Sequence, residues 1–289
     1  MLRRLLLASL VVFAALSLCR APPLVLGTFN IRWFPHANTD REAVAVAIAE
    51  LDADAFAVQE ILDPIAFQDV LDRASALSGR RYQMTLAPAR CPPLKVTVHL
   101  GVVHDAGEFD VLESRPLGEY TCPEGQPVGM LALLRAHDGR RLALASVHMP
   151  AGDGAEVRRL REGQWNWLAR ALPGLRAELA APVVVAGDFN STGYLVKEDP
   201  ERRFIDEVLG RGALQMPTER LGCSMYWNPR SGEYAASLLD HVVASDELEF
   251  GAAEALGMCA ELACAPQTRA PAGWTDVSDH CPVRVALRL

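Results

Sequence analysis

The chain has 289 residues, 50% of them hydrophobic, and a formal net charge of −8. That length and apolar content can bury a sizeable core, and no stretch has linker composition, so residues 22–289 are expected to form one domain. The acidic balance excludes a protein that relies on overall attraction to nucleic acid, while leaving local phosphate contacts open to it. Met1-Leu2-Arg3-Arg4 and the apolar run 5–18 have the basic and hydrophobic regions of an export signal rather than a membrane span. Residues 1–21 are therefore assigned as a signal peptide, and the mature chain as secreted or periplasmic. Cys19 offers a lipid anchor as an alternative, in which case the membrane is met only through this segment.

Pro22-Pro23 marks a boundary, and residues 24–30 form the first expected strand. Thr39-Asp40 supplies an N-cap to a helix in which Ala43, Val44, Ala47, Ile48 and Leu51 recur at helical spacing. A strand over 52–59 ends at Glu60, and Asp63-Pro64 opens a second helix that Gly79 stops. Segments 82–86, 95–104, 108–112, 128–136 and 141–148 carry few helical signals and are expected as antiparallel strands joined by turns such as His137-Asp138-Gly139. A helix over 154–172 closes at Pro173-Gly174. After it come a strand over 182–188, a short helix over 201–209, and strands over 238–244 and 282–289. Two mixed, mostly antiparallel sheets packed face to face with helices outside would bury this α/β pattern.

Apart from Cys19 there are six cysteines, an even number that in an exported chain favours disulfides, and none has the Cys-x-x-Cys spacing of a zinc site. The expected pairs are Cys91 with Cys122, across two Pro-rich loops, and Cys223 with Cys259 or Cys264. Cys281 is read as a small buried hydrophobe.

The β-branched run Val183-Val184-Val185 ends in Gly187-Asp188-Phe189-Asn190, a buried strand delivering polar groups at its tip. Phe29-Asn30, Gln59-Glu60 and His148 end other strands in the same way, and Asp240-His241 and Ser278-Asp279-His280 add two more polar clusters. Buried charge without a partner is costly, so these groups are expected to converge on one site.

In order and spacing, Phe29-Asn30-Ile31-Arg32, Val58-Gln59-Glu60, Ser146-Val147-His148, Gly187-Asp188-Phe189-Asn190, Leu239-Asp240-His241 and Ser278-Asp279-His280 resemble the endonuclease/exonuclease/phosphatase superfamily, in particular its DNase I-like members. The resemblance runs from about Leu24 to the C-terminus and implies a four-layer sandwich that cleaves phosphate esters with Mg²⁺, or with Mn²⁺ or Ca²⁺ in its place. Carboxylate and amide oxygens suit such a cation. By resemblance Glu60, Asn30 and Asp279 are the metal ligands. His280, oriented by Asp240, is a base or a phosphate-binding imidazolium. Asp188 and Asn190 position water and bind phosphate, His148 contacts phosphate or protonates the leaving group, and Arg32 contacts phosphate. One departure concerns His148. DNase I has a glutamate shortly after a lysine that supports this histidine, whereas here Lys95 is followed by Val96-Thr97-Val98, leaving His99 as an uncertain neighbour.

Arg158, Arg161 and Trp165 share a helical face and form a candidate substrate rim, with a solvated amphipathic helix as the alternative. Trp227 and Trp274 lie in loops where they could stack on bases or pack locally. The resulting expectation is an exported, metal-dependent phosphodiesterase acting on DNA or RNA, without an obligate protein partner. Two alternatives stand beside it: a phosphatase or phospholipid phosphodiesterase using the same site, and a non-catalytic binding module on the same scaffold.

Overall fold

A computed structural model of the chain describes residues 22–89, 98–117, 121–122, 126–127, 129–191, 200–228 and 232–289. Two six-stranded sheets carry the fold. The first runs Glu249–Ala255, Val283–Arg288, Leu24–Phe34, Ala55–Ile61, Val98–Asp105 and Tyr82–Ala89. The second runs Leu214–Gln215, Asp240–Ser245, Val183–Asp188, Arg141–His148, Gly129–Ala136 and Phe109–Pro116. Each contains one parallel pair, Leu24–Phe34 with Ala55–Ile61 and Arg141–His148 with Val183–Asp188, and is otherwise antiparallel.

Strand side chains alternate between faces, and this builds the layers. Val184 and Ala186 pack between the sheets with Leu26, Ala57, Val102 and Leu144. Val183 and Val185 turn outward against Trp165, Leu168 and Ile205, from the helices Ala155–Leu179 and Pro200–Gly212. On the other flank Phe29, Phe56 and Val58 meet Ile48, Phe67 and Val70, from the helices Arg41–Leu51 and Pro64–Ser78. These two helices start where expected because Asp40 and Asp63 each accept two backbone N–H groups of the first turn. The architecture is the expected helix–sheet–sheet–helix sandwich.

Several local expectations need correction. The helix expected to stop at Leu172 continues through Pro173 to Leu179. Proline there costs ~3 kcal/mol, which burial of Leu172 and Leu179 against the second sheet offsets, at roughly 1.5–3 kcal/mol for each side chain. The edge strand Glu249–Ala255 escaped prediction because its Gly251-Ala252-Ala253 centre has little strand propensity, and pairing with Val283–Arg288 creates it. Cys223 pairs with Cys264, one of the two expected partners. Cys281 is not a free hydrophobe but pairs with Cys259. The pairing of Cys91 with Cys122, the 1–21 signal segment and Cys19 lie outside the described residues. No helix among the described residues is long and apolar enough to cross a membrane.

Candidate active site

The register of the second sheet places Asp188 between His148 on one neighbouring strand and Asp240 on the other. Gly187 permits this approach. Its φ is +152°, and a Cβ there would lie 2.0 Å from the Val147 carbonyl oxygen, so only glycine lets these strand ends close up. In the first sheet Asn30 pairs with Gln59, so that Glu60 follows at the strand end with φ 65°. Gln59 itself is buried between the sheets, where it donates to Ser146 Oγ at 3.0 Å and accepts from Thr28.

The two sheets meet at Asn30. Its Nδ2 donates to Asp188 Oδ2 at 3.0 Å and to Glu60 Oε1 at 3.3 Å. Glu60 Oε2 accepts the Trp33 backbone N–H at 2.9 Å. His148 Nε2 lies 3.5 Å from Asp188 Oδ2 and 3.8 Å from Glu60 Oε1, and His280 Nε2 lies 3.7 Å from the same Asp188 oxygen. His148 therefore has two carboxylates beside it, although the sequence suggested none. They arrive from other strands, whereas His99 bonds the Ile61 carbonyl oxygen.

His280 Nδ1 is held 2.8 Å from Asp240 Oδ2. Burial opposes charge on this imidazole. The carboxylates of Asp240 and Asp188, together with the direct hydrogen bond, outweigh it and hold the pKa well above the ordinary histidine value. Burial raises the Asp188 carboxyl, against the pull of His280 and His148. Asn190 faces inward, its N–H bonding Asp188 Oδ1 and its Nδ2 bonding the Met149 carbonyl oxygen, at 2.8 and 3.0 Å. It thus orients Asp188 from behind.

Two serines given no role by the sequence analysis support this arrangement. Ser224 Oγ donates to Asp240 Oδ2 at 2.7 Å and accepts the N–H groups of Leu239 and Asp240. Ser278 Oγ donates to the Asn30 carbonyl oxygen and accepts the His280 N–H, joining two elements of the site. Ser278 belongs to a recognisable motif, whereas Ser224 has no local signal.

The donor set fits a divalent cation. Glu60 and Asp188, two carboxylates, lean on a single amide nitrogen in one cluster, which is the oxygen-rich chemistry a hard cation satisfies. Asp188, Asp240 and His280 also bring one ligand atom each to within 4.8 Å of one another. His280, however, stands between two carboxylates as a proton-bearing imidazolium does, so Glu60 is the better anchor for a metal. Asp279 sits beside Arg32, 3.6 Å from its Nε.

The proposed rim on the helix Ala155–Leu179 is corrected. Arg161 is buried, with Nε and Nη2 paired to Glu201 at 2.7 and 3.1 Å and Nη1 bonded to the Pro150 and Gly152 carbonyl oxygens. Trp165 is buried, stacked on Phe189 at 4.7 Å and bonded to Ser191. Arg158 is half-buried, and Trp227 is 57% exposed on the strand Met225–Trp227, where Met225 bridges to His280.

Residues 27–280 match the Endonuclease/Exonuclease/phosphatase family. The chain belongs to that family. Its members are metal-dependent phosphoric ester hydrolases, and this endonuclease/exonuclease/phosphatase chain is an enzyme of the same type. Its fold is similar to that of D. rerio TDP2 humanized by 14 mutations, at 16% identity over 93% of this chain and 100% of that one, TM-score 0.64. The human Nocturnin catalytic domain with bound sulfate anion aligns at 19% identity over 92% and 94%, TM-score 0.61. A Bacteroides thetaiotaomicron mannosyl-6-phosphatase aligns at 15% over 92% and 100%, TM-score 0.62. At these identities the likeness is one of fold. No curated protein sequence matches the chain.

Proposed function

We propose that the chain is an exported phosphodiesterase that hydrolyses DNA or RNA with Mg²⁺. The observation that carries this reading is the convergence of Asn30, His148 and His280 on a single oxygen of Asp188, with Glu60 alongside. Glu60, Asn30 and Asp279 would hold the metal, which when bound neutralises charge developing on the phosphate. Asp188, oriented by Asn190, aims the attacking water and takes the proton that the water gives up as it bonds to phosphorus. His280, kept protonated by Asp240, donates to a non-bridging phosphate oxygen. His148 stands on the other side of Asp188 and delivers a proton to the leaving oxygen. Two disulfides among the described residues suit an oxidising compartment and support export.

The test is a panel of plasmid, single-stranded DNA, RNA, sphingomyelin and phosphate monoesters, each with Mg²⁺ and with EDTA. Metal-dependent cleavage of nucleic acid is expected. Phosphate release from monoesters alone, or lipid cleavage alone, would replace the nuclease reading with the corresponding alternative.

A further inference from the structure

Beside the catalytic cluster the first strand turns through two consecutive left-handed residues, Arg32 with φ 39° and Trp33 with φ 49°. Non-glycine residues in this region carry strain, which tends to be retained where it aims side chains at a site. Here the turn is pinned to the site at both residues: Arg32 N–H donates to Asn30 Oδ1 at 3.0 Å and Trp33 N–H to Glu60 Oε2 at 2.9 Å. The two residues line an open cavity of about 360 Å³ together with His36, Asn38 and Trp274. That volume lies within the roughly 300–1,000 Å³ common for small-molecule sites.

The walls are planar π surfaces. Arg32 Cζ lies 4.2 Å over the Trp274 ring, and its Nη1 donates to the Trp274 carbonyl oxygen at 2.9 Å. Trp274 is fixed in turn by Tyr234, edge-on at 5.0 Å, and by donation from its Nε1 to the Tyr226 carbonyl oxygen. Trp33 is 38% exposed, a large apolar surface left open beside the Glu60 carboxylate. The Arg32 charge already faces Asp279, 3.6 Å away. What Arg32 offers a ligand is therefore the flat face of its guanidinium more than a free charge, and arginine planes and indoles both stack on nucleobases.

We propose that this cavity is a nucleobase subsite, taking one unstacked base of the substrate between Trp33 and the Arg32–Trp274 stack while the neighbouring phosphate lies at Asp188. This rests on the reading of the substrate as nucleic acid and narrows it. A base must leave its duplex to enter, so the enzyme favours single strands and ends over paired DNA.

The test measures binding without turnover, using full-length His280→Ala protein in Mg²⁺. A short oligothymidylate is compared with an equally long strand lacking every base. Base stacking on an aromatic contributes roughly 1–3 kcal/mol, so the base-bearing strand should bind about 5- to 150-fold tighter. Trp33→Ala in the same background should reduce that ratio to about twofold or less, and Trp33→Phe, which restores a ring, should retain most of it. Equal binding of the two strands, binding of neither, or a ratio that survives Trp33→Ala overturns the subsite. Wild-type cleavage of the abasic strand is scored separately. If that strand is cut with no base preference in binding, the subsite is lost and the catalytic reading stands. Base-dependent binding that Trp33→Ala abolishes, without cleavage of any strand, supports the subsite and sinks the catalytic reading.

Discussion

His280 and Asp240 are joined by a buried 2.8 Å contact, although 40 positions separate them in the chain. The pair exists because the strand Asp240–Ser245 lies beside Val183–Asp188, while residues 278–281 cross its end and bond back through Cys281 N–H to the Ser224 carbonyl oxygen. Ser224 completes the arrangement by donating to the same Asp240 oxygen, Oδ2, that meets His280.

Removing the imidazole should therefore damage turnover far more than folding. His280→Ala is expected to lower kcat by about 10²- to 10³-fold, in the range seen when one donor to a developing oxyanion is removed. Ser224→Ala should lower kcat less, because it loosens Asp240 without deleting it, and should leave KM near wild type. Steady-state kinetics on the best substrate of the panel decide both. A Ser224→Ala effect confined to KM would contradict the positioning role.

Arg161 offers the opposite case. Its guanidinium is enclosed and paired with Glu201, so Arg161→Ala should destabilise the fold by about 3–5 kcal/mol, as expected when one member of a buried ion pair is removed. Denaturant titration reads this directly. A variant that stays fully stable yet binds substrate poorly would restore the surface-rim reading.

The disulfide Cys259–Cys281 closes a loop spanning 22 positions immediately beside His280. Chain-entropy reasoning assigns such a loop about 3 kcal/mol. Replacing both cysteines with serine should lower stability by about that amount and reduce kcat, because the backbone that carries the imidazole loses a tether. Losing the Cys223–Cys264 bridge should cost stability with a smaller effect on turnover. Equal kcat losses for the two double variants would show that proximity to His280 is irrelevant.

His241 neighbours Asp240 in sequence but points away from the reaction. It is buried, with Nδ1 3.1 Å from Thr218 Oγ1 and its ring against Phe189. Burial, helped by the nearby charge of Arg202, lowers its pKa to about 3 from 6.5. Between these values the unfolded chain binds the proton and the folded chain does not, so stability falls as pH drops through this window, by up to about 1.4 kcal/mol per pH unit. A His241→Asn variant lacks that contribution. The stability gap between wild type and variant should narrow from pH 7 to pH 4 in urea titrations, and a gap independent of pH would contradict it.

Much of the site can be found in the linear chain because its residues sit where strand patterns stop. Glu60, His148 and Asp188 stand at or next to the ends of short apolar strands, where a strand buried on both faces can present charged groups, and Asn30 follows an apolar run within the longer strand Leu24–Phe34. The same locality makes Asp40 and Asp63 legible as helix caps, since each bonds only its own next turn. Side chains at helical spacing are less informative. Arg161 and Trp165 share a face with Arg158 in any helix, and nothing within the helix says whether that face meets water or a sheet.

The sequence by itself determined most of the order of strands and helices, the ends at which chemistry gathers, and the residue types that gather there, because these depend on neighbours two to four positions away. Only the tertiary structure decided that Trp165 and Arg161 are core, that Cys281 pairs with Cys259, that Ser224 holds Asp240, and that Arg32 lies flat on Trp274. Each of these is a contact between distant segments. Such a contact is set by how whole sheets and loops pack, and side-chain chemistry leaves it open until burial has chosen the partner.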